Sequence, residues 1–159
     1  MSTGVLAPGI ICKTMKNILL LLITLSGVIA TNGQSKPTKN MEDSSAIAQV
    51  LESYFKGIYT GDIELLKTVY NPGTLLFGDV KGQPYAKTLD QYLDGVAHRQ
   101  SPKDSGKPFK GEIISIESIH SIAVARVRVK MYDFDYQEIL SFHKIDGHWL
   151  IVNKMISDS

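Results

Sequence analysis

The last fifth of the chain constrains the fold most. Ile139-Leu140-Ser141-Phe142-His143-Lys144-Ile145 and His148-Trp149-Leu150-Ile151-Val152-Asn153-Lys154 are strand-like, and only Asp146-Gly147 separates them. A two-residue Asp-Gly link suits a type I′ turn, which needs positive φ at both positions, so residues 138–156 predict one tight hairpin. The turn also sets a register. It pairs Ile145 with His148, Lys144 with Trp149, Phe142 with Ile151 and Leu140 with Asn153. One face then holds Glu138, Leu140, Phe142, Trp149, Ile151, Asn153 and Met155. The other holds Ile139, Ser141, His143, Ile145, His148, Leu150, Val152 and Lys154. The first face has the aromatics and is expected to lie against the core.

Upstream the apolar period changes from two to 3.6. Ile47, Val50, Leu51, Tyr54, Phe55 and Ile58 form a helical stripe, with Ser44 or Ser45 as its N-cap and Thr60-Gly61 as its end. Asp62 can cap a short second helix carrying Leu65, Leu66 and Val69, which Asn71-Pro72-Gly73 stops. Residues 74–77 predict a strand, followed by a turn at 79–82 and a second strand to Lys87. Thr88-Leu89-Asp90-Gln91 matches a capping box and opens a third helix with Leu89, Tyr92, Leu93, Val96 and Ala97 on one side. The polar run 100–110 predicts a surface loop. Strands are expected at 111–119, 122–132, 136–145 and 148–156, giving the order α-α-β-β-α-β-β-β-β.

Composition allows one ordinary core and no more. The chain has 159 residues, of which 43% are hydrophobic and 21% charged. Its net charge is +1, and residues 1–34 contribute two lysines and no acids, so the remainder has one acid in excess. Neither balance points to nucleic acid. Cys12 is the only cysteine, which excludes an intramolecular disulfide and a cysteine-based metal cluster.

The first thirty residues have the order of an export signal. Lys16 follows Met15, residues 18–29 are apolar except at Thr24, Ser26 and Gly27, and Val28-Ile29-Ala30 offers small residues for cleavage. Residues 1–30 are therefore expected to be leader and signal peptide, with Met15 as the true start and the mature protein secreted or periplasmic. The apolar run is shorter than the roughly 20 residues that span a bilayer, so no stable membrane anchor is expected. Residues 31–43 are polar and predict a flexible tether, and residues 44–157 a single domain.

The chain from 45 to 156 resembles the nuclear transport factor 2-like superfamily. The likeness rests on Tyr54-Phe55-Lys56-Gly57-Ile58-Tyr59-Thr60-Gly61-Asp62, Asn71-Pro72, Leu76-Phe77-Gly78, Ser101-Pro102, and the hairpin run from Lys144 to Lys154. It is nearest to the SnoaL-like branch, in the group named putative lumazine-binding. The resemblance implies an α+β fold in which a curved antiparallel sheet wraps helices into a cone, the cystatin-like α+β barrel, with a pocket at its mouth. It also implies back-to-back pairing of sheets. Superfamily members include isomerases, dehydratases, cyclases, binding proteins and assembly modules, so fold does not fix activity.

Candidate site residues follow from the expected faces. Tyr54, Phe77, Tyr92, Phe142, Trp149 and Asn153 are expected to line a mostly apolar pocket that takes a small planar ligand without chemistry. Glu138 and Asn153 are diagonal neighbours in the expected register. A carboxylate in such a pocket could serve as acid or base, so the alternative is a cofactor-independent lyase or isomerase using Glu138, or Asp79, with a tyrosine. His143 and His148 share the outer face without a third metal ligand, and His98 and His120 fall at solvent positions. No metal or cofactor is implied. The aliphatic outer hairpin face (Ile139, Ile145, Leu150 and Val152) predicts a homodimer through it.

Overall fold

The computed structural model describes residues 38–158. The leader and signal peptide expected at 1–30, Met15, Cys12 and the first part of the tether lie outside the described residues. Helix α1 spans Lys39–Thr60, α2 Ile63–Val69, α3 Leu89–Ala97 and the single turn α4 Pro102–Ser105. The strands are β1 Tyr70–Val80, β2 Gln83–Thr88, β3 Phe109–Ile119, β4 Ile122–Met131, β5 Phe134–Ile145 and β6 His148–Asp158. They form one curved open sheet in the order β2-β1-β6-β5-β4-β3. The α+β class and helix–strand order match the expectation, with α4 added inside the supposed 100–110 loop. Ser101 and Pro102 are buried there, and Ser101 Oγ accepts from the Asp104 N–H.

The sheet is mixed, not wholly antiparallel. β1 and β6 run parallel, while the other four neighbouring pairs are antiparallel. A chain that goes from β1 through the helices and back along β3–β6 brings its last strand beside its first, which closes the middle of the sheet.

Local signals place most helix ends. Asp62 Oδ1 accepts from the Leu65 N–H at 2.9 Å, and Thr88 and Gln91 form the reciprocal capping box. Gly61 ends α1 with φ of 69°, the left-handed C-cap that glycine tolerates. The start of α1 differs from expectation. The helix begins at Lys39, not after Ser44 or Ser45, so part of the expected tether is helical. Asp43 is 4% exposed and accepts from Lys144 Nζ at 2.8 Å and from Trp149 Nε1 at 3.2 Å. A charged contact with a distant strand orders this turn, and it leaves no apolar period to read.

The inner face of the sheet receives Ala123, Ala125, Val127 and Val129 from β4, Leu140 and Phe142 from β5, and Trp149 and Ile151 from β6. Ile47, Leu51, Tyr54, Phe55 and Ile58 of α1 pack on it with Leu93 and Val96 of α3. Two close approaches need glycine. A Cβ on Gly111 would lie 2.4 Å from the Phe55 ring, and one on Gly57 would lie 2.6 Å from Leu66. These fix how closely α1 meets β3 and α2. Among the described residues no helix is long and apolar enough to cross a membrane.

Candidate functional site

The hairpin turn forms as expected, with φ of 49° at Asp146 and 84° at Gly147, and the register holds from Ile145–His148 to Phe142–Ile151. It then slips. Ser141 pairs with Asn153, leaving Val152 as an extra residue on β6. This β-bulge shifts every later residue of β6 to the opposite face. Lys154 turns inward opposite Leu140, while Asn153 and Met155 turn outward.

The neighbouring strand is irregular at the same level. Between Tyr70 and Leu75 the β1–β6 pairing also shifts, across Asn71-Pro72-Gly73, where Pro72 has no N–H to offer and Gly73 has φ of 86°. Thr74 Oγ1 lies 2.9 Å from the Ile151 carbonyl and 2.7 Å from the Asn71 carbonyl, and Asn153 Nδ2 donates to the Leu75 carbonyl at 3.0 Å. Side chains thus satisfy backbone acceptors at the double irregularity.

The inward turn of Lys154 builds a buried polar cluster. Lys154 Nζ lies 2.6 Å from Glu138 Oε1 and donates to Tyr54 Oη at 2.5 Å, and Tyr54 Oη donates to Glu138 Oε2 at 2.6 Å. Glu138 and Lys154 are each 3% exposed and Tyr54 is fully buried. Each member satisfies the other two, the condition under which buried charge is tolerated. Tyr70 packs edge-on to Tyr54 and Tyr92, with centroids 6.0 Å away in both cases, and Lys154 Nζ sits 5.2 Å from the Tyr54 and Tyr92 rings. Burial, reinforced by the Glu138 charge, holds the Tyr54 hydroxyl well above its ordinary pKa. Burial and the neighbouring Tyr92 and Glu138 do the same for Tyr70. For Lys154 burial alone would favour the neutral amine, but the Glu138 carboxylate outweighs it and the pKa is raised.

Above this cluster lies a cavity of about 180 Å³. Tyr85 and Lys87 reach it from β2, Tyr92 and Gly95 from α3, Arg99 from the segment after α3, and Tyr136, Glu138 and Lys154 from β5 and β6. Ile58, Val96, Val129 and Ile156 complete the apolar walls. Burial raises the Tyr85 and Tyr136 hydroxyls, and Lys154 and Arg99 partly offset it at both. A separate open groove of about 500 Å³, lined by Ile119, Ile122, Val124 and Val152 among others, lies on the outer face of the sheet.

A family model described as putative lumazine-binding matches residues 42–157. The chain belongs to that family. Three solved structures share the fold, each a nuclear transport factor 2-like protein of unknown function. The one from Silicibacter pomeroyi DSS-3 is 19% identical, covering 74% of this chain and 97% of its own, with a TM-score of 0.67. That from Shewanella baltica OS155 is 21% identical, with coverage of 77% and 98% and a TM-score of 0.69. That from Methylobacillus flagellatus KT is 22% identical, with coverage of 78% and 96% and a TM-score of 0.68. No curated protein matches.

In this member of the putative lumazine-binding family, the residues expected at the site are divided. Tyr54 and Glu138 meet in the buried cluster, and Tyr92 lines the cavity. Phe142 and Trp149 are core residues away from it, Trp149 being held by Asp43. Phe77 is 44% exposed on the outer face, because Thr74 and Leu76 are the inward residues of β1. Asn153 stands on the outer side of the bulge, and Asp79 is exposed on β1. His143 and His148 are exposed, and among the described residues no group of three or more His, Cys, Asp or Glu is placed to hold a metal.

Sequence reasoning missed Lys154, Lys87, Arg99, Tyr85 and Tyr136. Alternation within β2 could have paired Tyr85 with Lys87 on one face, but no local signal marks the bulge that brings in Lys154.

In this family member the three polar groups of the cluster are engaged with one another. Both Glu138 oxygens are engaged, one by Lys154 and the other by Tyr54. Lys154 stays an ammonium and so is no nucleophile. An ammonium has three N–H groups; two are used within the cluster, and the Nζ also lies against the Tyr92 ring.

Proposed function

We propose that this domain binds a small flat molecule in the cavity above Glu138, Lys154 and Tyr54 and does not transform it. The observation that carries the reading is a partly open chamber of mixed apolar and polar walls whose floor is a mutually bonded polar cluster, with hydroxyl and cationic groups around it. The family's description favours a planar heterocycle of the lumazine kind.

The test is calorimetric titration of the purified chain with lumazine, alongside mass-spectrometric identification of any small molecule that copurifies. Gly95 faces open space in which an added Cβ would meet only Lys87 Nζ, at 3.9 Å. Gly95→Leu should therefore occlude the chamber and abolish binding. Retained binding in a folded Gly95→Leu protein would place the ligand elsewhere.

A second reading, a cofactor-independent lyase or isomerase, is favoured by one observation: a buried carboxylate 2.6 Å from a tyrosine hydroxyl at a cavity wall. Should Glu138→Gln keep affinity but stop conversion of the bound molecule, that reading replaces the first.

Two further properties belong to the proposal. The protein is exported and cleaved near Ala30, which N-terminal sequencing of secreted or periplasmic protein would test; recovery only of cytosolic chains starting at Met1 or Met15 would refute it. It also forms a homodimer through the outer sheet face. Arg126, Ile139, Met155 and Phe77 lie in one cross-strand row on that face, with Ile139 42%, Met155 51% and Phe77 44% exposed. Its three apolar members, on β5, β6 and β1, suit a second copy of the same sheet.

A further inference from the structure

The cavity walls carry more positive than negative charge. Lys87, Arg99 and Lys154 line it with Glu138 as the only acid, and Glu138 is already spent on Lys154. Arg99 stands out among these groups. Its Nε and Nη2 atoms are buried, and no acceptor among the described residues reaches either. Those two nitrogens form one edge of the guanidinium, a pair of nearly parallel N–H groups whose spacing matches the two oxygens of a carboxylate. A buried donor without a partner is costly, and a charged one more so. Lys87 also lines the cavity, its Nζ 5.3 Å from the Tyr85 ring centroid, and adds a second cation to the walls.

We infer that the cavity takes a small planar carboxylate, gripped by two hydrogen bonds from Arg99 Nε–H and Nη2–H, with its ring against the tyrosines of the same walls. The inference rests on the ligand-binding reading above and names its ligand class. A volume of about 180 Å³ is below the range of pockets for drug-sized molecules, which restricts the acid to roughly a single ring or a compact bicycle. One fork edge satisfies both oxygens of a carboxylate, whereas a phosphate held by the same edge would have one or two further oxygens left to pair.

The experiment compares benzoate, benzamide and inorganic phosphate, with lumazine as a neutral heterocycle at pH 6. Affinity is read by calorimetry, and the Arg99 Nε–H resonance by nitrogen-edited nuclear magnetic resonance. Benzoate should bind at least about tenfold more tightly than benzamide and should shift the Arg99 Nε–H signal. Arg99→Lys and Arg99→Gln should each lose benzoate binding by about tenfold or more, with circular dichroism unchanged.

Equal binding of benzoate and benzamide, or a benzoate affinity that survives Arg99→Gln, overturns the inference. So does phosphate binding more tightly than benzoate. If the benzoate preference is absent while benzamide or lumazine binds and Gly95→Leu abolishes that binding, the cavity is still a binding site and only the carboxylate assignment falls. If none of the four binds the folded protein, both fall. Should the Arg99 variants not fold, the benzoate-to-benzamide ratio and the resonance shift in the unaltered protein still decide the matter.

Discussion

Lys154 Nζ and Glu138 Oε1 lie 2.6 Å apart with both residues 3% exposed, and they meet only because one extra residue on β6 turns Lys154 inward. A buried pair of this kind owes its tolerance to completeness. Removing one member leaves an uncompensated charge, while removing all the polar members leaves none.

Lys154→Met should accordingly destabilise the protein by about 3–5 kcal/mol, the usual penalty for breaking a buried ion pair. The triple variant Tyr54→Phe, Glu138→Leu, Lys154→Met should recover most of that loss. Urea denaturation measures both. A triple variant as unstable as the sum of its single changes would show that the cluster stabilises the fold by itself.

Alkaline pH should unfold the domain through the same groups. Tyr54, Tyr70 and Lys154 all have folded pKa values above their ordinary ones, near 10 for tyrosine and 10.4 for lysine. The native state therefore keeps protons that the unfolded state has released, so stability is full below about pH 10 and falls as pH rises beyond it. In a spectrophotometric titration, the Tyr54 and Tyr70 phenolate absorbance should appear together with unfolding and not before. Smooth, non-cooperative ionisation of all seven tyrosines in a still-folded protein would contradict this.

The single tryptophan reports the start of α1 rather than the cavity. Trp149 Nε1 donates to Asp43, whose carboxyl the Lys144 ammonium holds below the usual carboxylate range. A depressed carboxylate stabilises above its unfolded pKa, about 3.9, and loses that contribution as pH falls through the lower folded value. Trp149 emission should change with a midpoint below about pH 3.9, and Asp43→Asn should remove the transition and lower the melting temperature.

The proposed dimer makes a mass prediction. Val152→Glu, in the groove on the outer face, and Ile139→Lys, on the exposed row, should each give monomers by light scattering with the fold retained. An unchanged dimeric mass in both would exclude that face, and a monomeric unaltered protein would exclude the dimer.

What the sequence alone determined is local chemistry. The Asp146-Gly147 turn, the Thr88–Gln91 capping box, the Asp62 cap, the Gly61 helix end and the apolar stripe from Ile47 to Ile58 each depend on a few neighbouring residues, and each is legible at that range. Tyr54, Tyr92 and Glu138 could be assigned inward because their faces follow from uninterrupted helix and strand periods.

Tertiary structure decided the rest. The bulge at Val152 forms where β6 meets the Pro72-Gly73 detour of β1, some eighty residues away in the chain, and no pattern within β6 announces it. One inserted residue reverses a period of two, so it exchanged Asn153 for Lys154 at the centre of the site. Arg99 follows a helix whose own stripe says nothing of it, and Asp43 orders its turn through Lys144 and Trp149. Long-range contacts between charged side chains have no period along the chain, and only the folded molecule brings them together.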